Sequence, residues 1–327
     1  MVVRTNRLTQ ITAALAVAAV TASLLAGCDT KPSKIVLGGA RKDNDVVVTP
    51  PSTGGEIGAG GSVNSNVLPD KVSYDEAELA FTEKRYGDAA DLFGVYTKNK
   101  PENPWGFYML GLSSWKSGKL DEAKTGFEKS LELDPRHIKS LLNLTRVLLE
   151  QGKSDEALEK VQAGLAIDST SADGYRLLGR VQGQLGHTEE AITAYQRSIE
   201  QDSLDAWSMN NLGHLLLDQG KVSDALPLLA RATEIKPENP LFQNNLGMAL
   251  ELSGHNASAA KAYEAALAAD SGYAKATVNL ARVSQLKKEG EEEVDIASIA
   301  RSLEVTIRGW RSARGAEPVS GKGSSEQ

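Results

Sequence analysis

The chain has 327 residues, of which 41% are apolar and 24% charged, with a net charge of −7 and one cysteine. Its length suggests about two domains, and its apolar share excludes both a wholly disordered chain and a multi-span membrane protein. An acidic chain without a basic block is a poor match for phosphate-led binding, so no nucleic-acid partner is expected, and one cysteine permits neither an intrachain disulfide nor a cysteine zinc cluster.

Arg4 and Arg7 give the N-terminus a small positive charge, and residues 11–26 are apolar apart from Thr12, Thr21 and Ser23. Charge followed by a short apolar run is the layout of a secretory signal, and the run is shorter than the about 20 residues a bilayer span needs. It ends in Leu25-Ala26-Gly27-Cys28, which resembles a bacterial lipobox. That resemblance implies a signal peptide over residues 1–27, cleavage before Cys28, and acyl chains on its thiol and new amine that make the lipid membrane a partner. An uncleaved signal anchor with an incidental Cys28 is the alternative. Asp29 is similar to an inner-membrane retention signal of enterobacteria. The expected location is the bacterial cell envelope, lipid-anchored and facing the periplasm, with the outer membrane preferred and the inner membrane left open by Asp29.

Residues 28–69 read as the lipidated cysteine and a flexible tether. Gly54-Gly55, Gly60-Gly61 and Pro50-Pro51 interrupt any regular element. A coil of this length reaches roughly 35 Å at ~5–6 Å × √n. Gly58-Ala59-Gly60-Gly61 lacks the Lys-Ser/Thr and the strand–helix frame of a phosphate loop.

The body repeats every 34 residues. Leu110-Gly111 returns as Leu144-Thr145, Leu178-Gly179, Leu212-Gly213 and Leu246-Gly247. In the same step run Ala89, Ala123, Ala157, Ala191, Ala225 and Ala259, and then Phe93, Phe127, Val161, Tyr195, Leu229 and Tyr263. Gly118, Gly152, Gly186, Gly220 and Gly254 also keep phase. Six units follow without insertion: 70–103, 104–137, 138–171, 172–205, 206–239 and 240–273. Each reads as two helices separated by the glycine, with His187-Thr188-Glu189 opening the second helix of the fourth unit. A unit this small cannot bury its apolar face alone, so the units must stack.

These columns resemble the tetratricopeptide repeat (TPR) family over about two thirds of the chain. The resemblance implies an all-α, right-handed superhelical solenoid of antiparallel helix pairs, helix A then helix B, with ligands in a concave groove lined by A helices. Unit one departs most, with Glu76-Ala77 in the Leu-Gly column and Lys84 in place of the turn glycine. Pro227, with Ser223 as N-cap, is expected to remove one early hydrogen bond of its helix. Val278, Leu280, Ala281 and Leu286 continue the pattern as one more A helix. Ile296, Ile299, Leu303, Ile307 and Trp310 then mark a last amphipathic helix. Residues 274–313 are read as a C-terminal capping helix pair covering unit six, and 314–327 as a disordered tail.

Projected onto the A-helix face, one column carries Asn143, Asn211, Asn245 and Asn279. Primary amides can donate to and accept from an extended peptide backbone, although asparagine is also common at this family position. Arg146, Arg180 and Arg282, with His214 in the same column and Lys139, Arg176 and Lys275 nearby, suggest a cationic groove for acidic ligands; pairing with neighbouring carboxylates is the alternative. Tyr74 with Tyr108, Phe81 with Trp115, and Trp105 with Trp207 occupy three further groove columns, either as interface anchors or as packing between repeats.

Neither a metal-spaced histidine pair nor a Gly-x-Ser-x-Gly elbow is present, so catalytic residues, metal and cofactor are all expected to be none. The reading is a non-enzymatic, membrane-anchored scaffold binding an envelope protein or peptide segment, assisting assembly of a machine such as a pilus or secretin. In architecture it resembles the pilotin lipoproteins of type IV pili and the TPR lipoproteins of tight-adherence pili. An adaptor docking cell-wall hydrolases or proteases is the alternative.

Overall fold

The computed structural model describes residues 68–286 and 292–315. The signal, Cys28 and almost all of the tether lie outside the described residues, as does the tail from 316.

Among the described residues there are fourteen helices. Six A–B pairs run α1 (Tyr74–Thr82) with α2 (Tyr86–Asn99), α3 (Pro104–Lys116) with α4 (Leu120–Leu133), α5 (Ile138–Glu150) with α6 (Ser154–Ile167), α7 (Ala172–Leu185) with α8 (Thr188–Gln201), α9 (Ala206–Asp218) with α10 (Val222–Ile235), and α11 (Pro240–Leu252) with α12 (Asn256–Ala269). Two helices follow, α13 (Ala274–Ser284) and α14 (Ile296–Gly315). Each B helix packs on its own A helix and on the next, giving a solenoid of stacked helix pairs as the resemblance implies.

The repeat columns have a steric cause. The residues of the Phe93–Tyr263 column are all fully buried, as are those of the alanine column. In units two, four, five and six the large side chain lies on the glycine of the facing A helix. A Cβ on Gly179 would stand 2.7 Å from the Tyr195 ring, and one on Gly247 2.5 Å from the Tyr263 ring. Unit three keeps the volume balance differently, with Thr145 in the glycine column and Val161 in the aromatic column, both fully buried. Burying one such side chain contributes about 1.5–3 kcal/mol.

Helix starts divide by type. Side chains of Ser73, Asn103, His137, Ser171, Asp205 and Asn239 cap the A helices α1 to α11, satisfying amides with no partner in the first turn. The B helices have no side-chain cap. Turns between A and B use the left-handed region at Gly118, Gly152, Gly186, Gly220 and Gly254, and at Lys84 in unit one with φ 62°.

Two expectations need correction. Lys221, not Ser223, precedes α10, so Pro227 lies deeper inside the helix than expected. More consequentially, the last two helices do not form a pair covering unit six. α13 docks on α12 as an added A helix. The chain then crosses α12, where Ser258 Oγ accepts from the Val294 amide at 3.0 Å, and α14 turns back to lie on α10 and α8. Its stripe of Ala300, Leu303 and Ile307 is buried there. Arg311 donates to the Glu200 carbonyl at 2.6 Å and Arg314 pairs with the Glu200 carboxylate. α14 also runs to Gly315, past the expected start of the tail.

Candidate functional site: the A-helix face

The A-helix face is built from repeat positions, and its chemistry changes along the stack. In units one and two it is aromatic. Tyr74 meets Phe93 and Tyr96 edge-on at 5.4 and 5.6 Å, and Phe81 meets Tyr86 at 5.3 Å. Trp105 stands edge-on to His137 at 4.5 Å and to Tyr108 at 5.7 Å, with the Lys139 ammonium 5.3 Å over its ring. Trp115 Nε1 donates to Glu150 of the next repeat at 3.0 Å. Tyr108 is buried, whereas Tyr74, Phe81, Trp105 and Trp115 are half-buried. Burial lowers the pKa of both His137 and Lys139 from their ordinary values. His137 Nδ1 accepts from the Ser140 amide at 3.2 Å, while its buried Nε2 has no partner among the described residues.

Trp207 lies apart from this group. Its ring packs edge-on against Phe242 at 4.9 Å, beside Lys236 at 5.9 Å. The six aromatics therefore do not form one patch, because rings 34 residues apart in one column share a neighbour only where successive repeats both carry them.

The middle of the face is a charge-matched chain. Arg146 donates to Asn143 Oδ1 at 2.7 Å and to Asp173 at 2.6 Å. Arg176 bridges Asp173 at 2.6 Å and Asp205 at 3.1 Å. Asp205 is buried and accepts from Ser198 and Ser208 at 2.7 and 2.6 Å. Burial pushes the Asp173 carboxyl up, but Arg146 and Arg176 outweigh it and hold the pKa below its ordinary value. At the far end Arg282 engages both oxygens of Glu251 at 2.7 and 2.8 Å, which depresses that carboxyl as well. Arg180 lies close enough to Tyr195 to favour its ionised form, although burial dominates and raises that hydroxyl. His214 Nδ1 is 3.2 Å from Asp218. An open cationic groove is thus not what Arg146 and Arg282 make; carboxylates from adjacent repeats match them.

The asparagine column is also engaged internally. Asn279 donates to Asn244 at 2.9 Å, Asn244 to Asn245 at 3.4 Å and Asn245 to Asn210 at 2.9 Å. Asn210 donates to Asn211 at 3.3 Å, and Asn211 to the Tyr195 hydroxyl at 3.4 Å. Asn143 separately reaches the Tyr108 hydroxyl at 3.4 Å. Asn211 and Asn245 are 5% and 3% exposed. The expected open ladder is instead a relay of five amides running through α9, α11 and α13. Asn210 and Asn244 were not expected in it, although the doubled Asn-Asn-Leu-Gly at 210–213 and 244–247 carried the signal. His137, Asp173, Asp205 and Glu251 were also not singled out. Among the described residues, no three His, Cys, Asp or Glu side chains come together as a metal site requires.

Comparison with known proteins places this geometry. Tetratricopeptide repeat family models match residues 114–181 and, in two overlapping spans, 176–240 and 210–274. These segments are tetratricopeptide repeats. No curated protein sequence matches the chain. Among solved structures, PilF of Pseudomonas aeruginosa is 19% identical, covering 64% of this chain and 92% of its own, with a TM-score of 0.52. A chain of the APC/C hetero-tetramer Cut9–Hcn1 is 16% identical over 63% of this chain and 41% of its own, with a TM-score of 0.57. MamA is 27% identical over 51% of this chain and 97% of its own, with a TM-score of 0.44. The PilF and Cut9–Hcn1 likenesses show the fold alone.

Proposed function

We propose that this chain is a membrane-anchored scaffold that holds a segment of a partner protein on the A-helix face of its first three repeats. A tetratricopeptide solenoid is a protein-interaction scaffold rather than a catalytic fold. The observation that carries the placement is the Trp105 cluster: a half-buried indole flanked by His137 and Lys139, beside an imidazole nitrogen that no described residue satisfies. Indoles and cations on one partly desolvated surface are the usual anchors of an interface. In the later repeats the equivalent polar groups already bond to one another, so a partner gains less there.

The anchoring half of the reading rests on the sequence. Arg4 and Arg7, the apolar run and Leu25-Ala26-Gly27-Cys28 support acylation of Cys28 in a bacterial envelope. The role assigned is assistance in assembling an envelope machine such as a pilus or secretin ring.

In-cell photo-crosslinking from position 139, with Glu159 on α6 as the B-face control, tests the placement. Adducts from 139 and none from 159 support it; the reverse pattern moves the working surface to the B helices. The adduct's identity decides the role, since a cell-wall hydrolase would establish the adaptor alternative. Cys28→Ser should abolish incorporation of labelled palmitate into the protein, whereas the wild type incorporates it; no palmitate labelling of the wild type would overturn the lipid anchor.

A further inference from the structure

We infer that the cleft between α14 and α10 is a binding site for a phosphate-bearing group. It exists because α14 folds back onto the B helices. The space it leaves is about 300 Å³ and is lined by Arg231 of α10 and by Arg301, Arg308 and Arg311 of α14. Glu304 is the only acid among the described residues of that lining, and Ile307, 6% exposed, contributes to an apolar floor. Four guanidiniums and one carboxylate line the cleft, in a chain whose net charge is −7.

Two of these arginines, Arg308 and Arg311, have no carboxylate partner among the described residues and keep their charge for a ligand. Arg311 donates to the Glu200 carbonyl, which carries no formal charge, and the Glu200 carboxylate is taken by Arg314. Arg301 lies 4.0 Å from Asp295, with both side chains about two-thirds exposed. Arg231 pairs with Glu234 of its own helix at 2.5 Å. Arg308 has no ion pair among the described residues. A cleft with low-dielectric walls and one sign of charge focuses its field on a counter-ion.

Two guanidiniums without a carboxylate partner, side by side on α14, suit a phosphate dianion better than a single carboxylate. Guanidiniums, as planar forks, match phosphate oxygens two at a time. The volume equals roughly ten waters at ~30 Å³ each. That admits a phosphate and the first atoms of its organic stem over the apolar floor. It does not admit a helix about 10 Å across. The phosphate can belong to a lipid headgroup or to a free phosphate ester.

The test uses the mature chain from position 28 with Cys28→Ser, expressed without residues 1–27, so that neither acyl chains nor the apolar run hold it on vesicles. Inorganic pyrophosphate is titrated calorimetrically, and sedimentation compares phosphatidylcholine vesicles with and without phosphatidic acid. Arg301→Gln with Arg308→Gln changes exposed residues and should leave the melting temperature unaltered while weakening binding about tenfold or more. Arg136→Gln, on the exposed loop between α4 and α5, should change nothing. Pyrophosphate binding that depends on the arginines supports the site and a soluble ester as its ligand. Arginine-dependent preference for phosphatidic acid vesicles without pyrophosphate binding supports the site and a lipid source. No binding to either, or binding indifferent to the double substitution, overturns the inference.

Discussion

The first three repeats and the last three are built on the same 34-residue frame, yet they use the A-helix face in opposite ways. Units one and two place Tyr74, Phe81, Trp105 and Trp115 there half-buried, with Lys139 of unit three over the Trp105 ring. Units five and six and α13 place five asparagines there, bonded to one another from Asn279 to Asn211. The difference teaches that a repeat position sets where a side chain points, while its neighbours decide whether it has anything left to offer. An amide whose partners lie within the protein adds little net energy by exchanging them for a ligand, whereas a half-exposed ring still has apolar area to bury.

The largest effect should come from breaking one half without touching the other. Unit two has glycine on both helices, and a Cβ at Gly126 would stand 2.6 Å from the Gly111 amide nitrogen and 2.7 Å from its Cα. The obstruction is backbone, which cannot swing away as a side chain can. Gly126→Ala should therefore pry α3 from α4 at a cost of about 3 kcal/mol. Because a solenoid couples chiefly to nearest neighbours, hydrogen exchange should rise in α1–α4 and stay slow in α9–α12. A uniform rise across both halves would show that the stack unfolds as one unit and that the two regions are not separable.

The next effect sharpens the functional side of the comparison. Trp105→Ala should weaken partner binding by about 2 kcal/mol, roughly 30-fold, as interface anchors do. Asn245→Ala should leave affinity near the wild-type value. Equal losses from both would return the asparagine column to the binding surface.

A smaller effect separates structure from binding in the later repeats. Asn210 both accepts from Asn245 and donates to Asn211. Asn210→Ala strands an amide on each side in a buried setting, so unfolding free energy should fall by about 1–2 kcal/mol. Partner affinity should not move. A melting temperature equal to wild type would mean that the relay's bonds contribute nothing net.

How much of this was legible in sequence follows from the same geometry. The fold was readable because its causes recur at one spacing: ring on glycine, alanine at the crossing, glycine at the turn. The ion pairs were not, because they run diagonally between helices. Arg146 reaches Asp173 over 27 residues, Arg176 reaches Asp205 over 29, and Arg282 reaches Glu251 over 31. A column followed in steps of 34 lists the arginines and never meets their acids. The relay alternates steps of 35 and 1, so it too slips between columns. For α14, the stripe of Ile296, Ile299, Leu303 and Ile307 announced a buried face but not its counterpart, since α12, α10 and α8 all present B-helix surfaces of similar composition.

The smallest expected effect tests the frame itself, at the unit that fits it least. Lys84 holds the left-handed turn conformation, φ 62°, that glycine holds in the five later turns. Its Cβ crowds the following carbonyl there, at a cost of roughly 1 kcal/mol, while glycine meets no such clash. The unfolded chain gains freedom from glycine as well, which offsets part of that relief. Lys84→Gly should therefore stabilise the protein by about 0.5 kcal/mol. Because the turn joins α1 to α2, the gain should be read as slower hydrogen exchange in those two helices, with α9–α12 unchanged. A loss of stability would mean that Lys84 contributes a contact that outweighs its strained backbone.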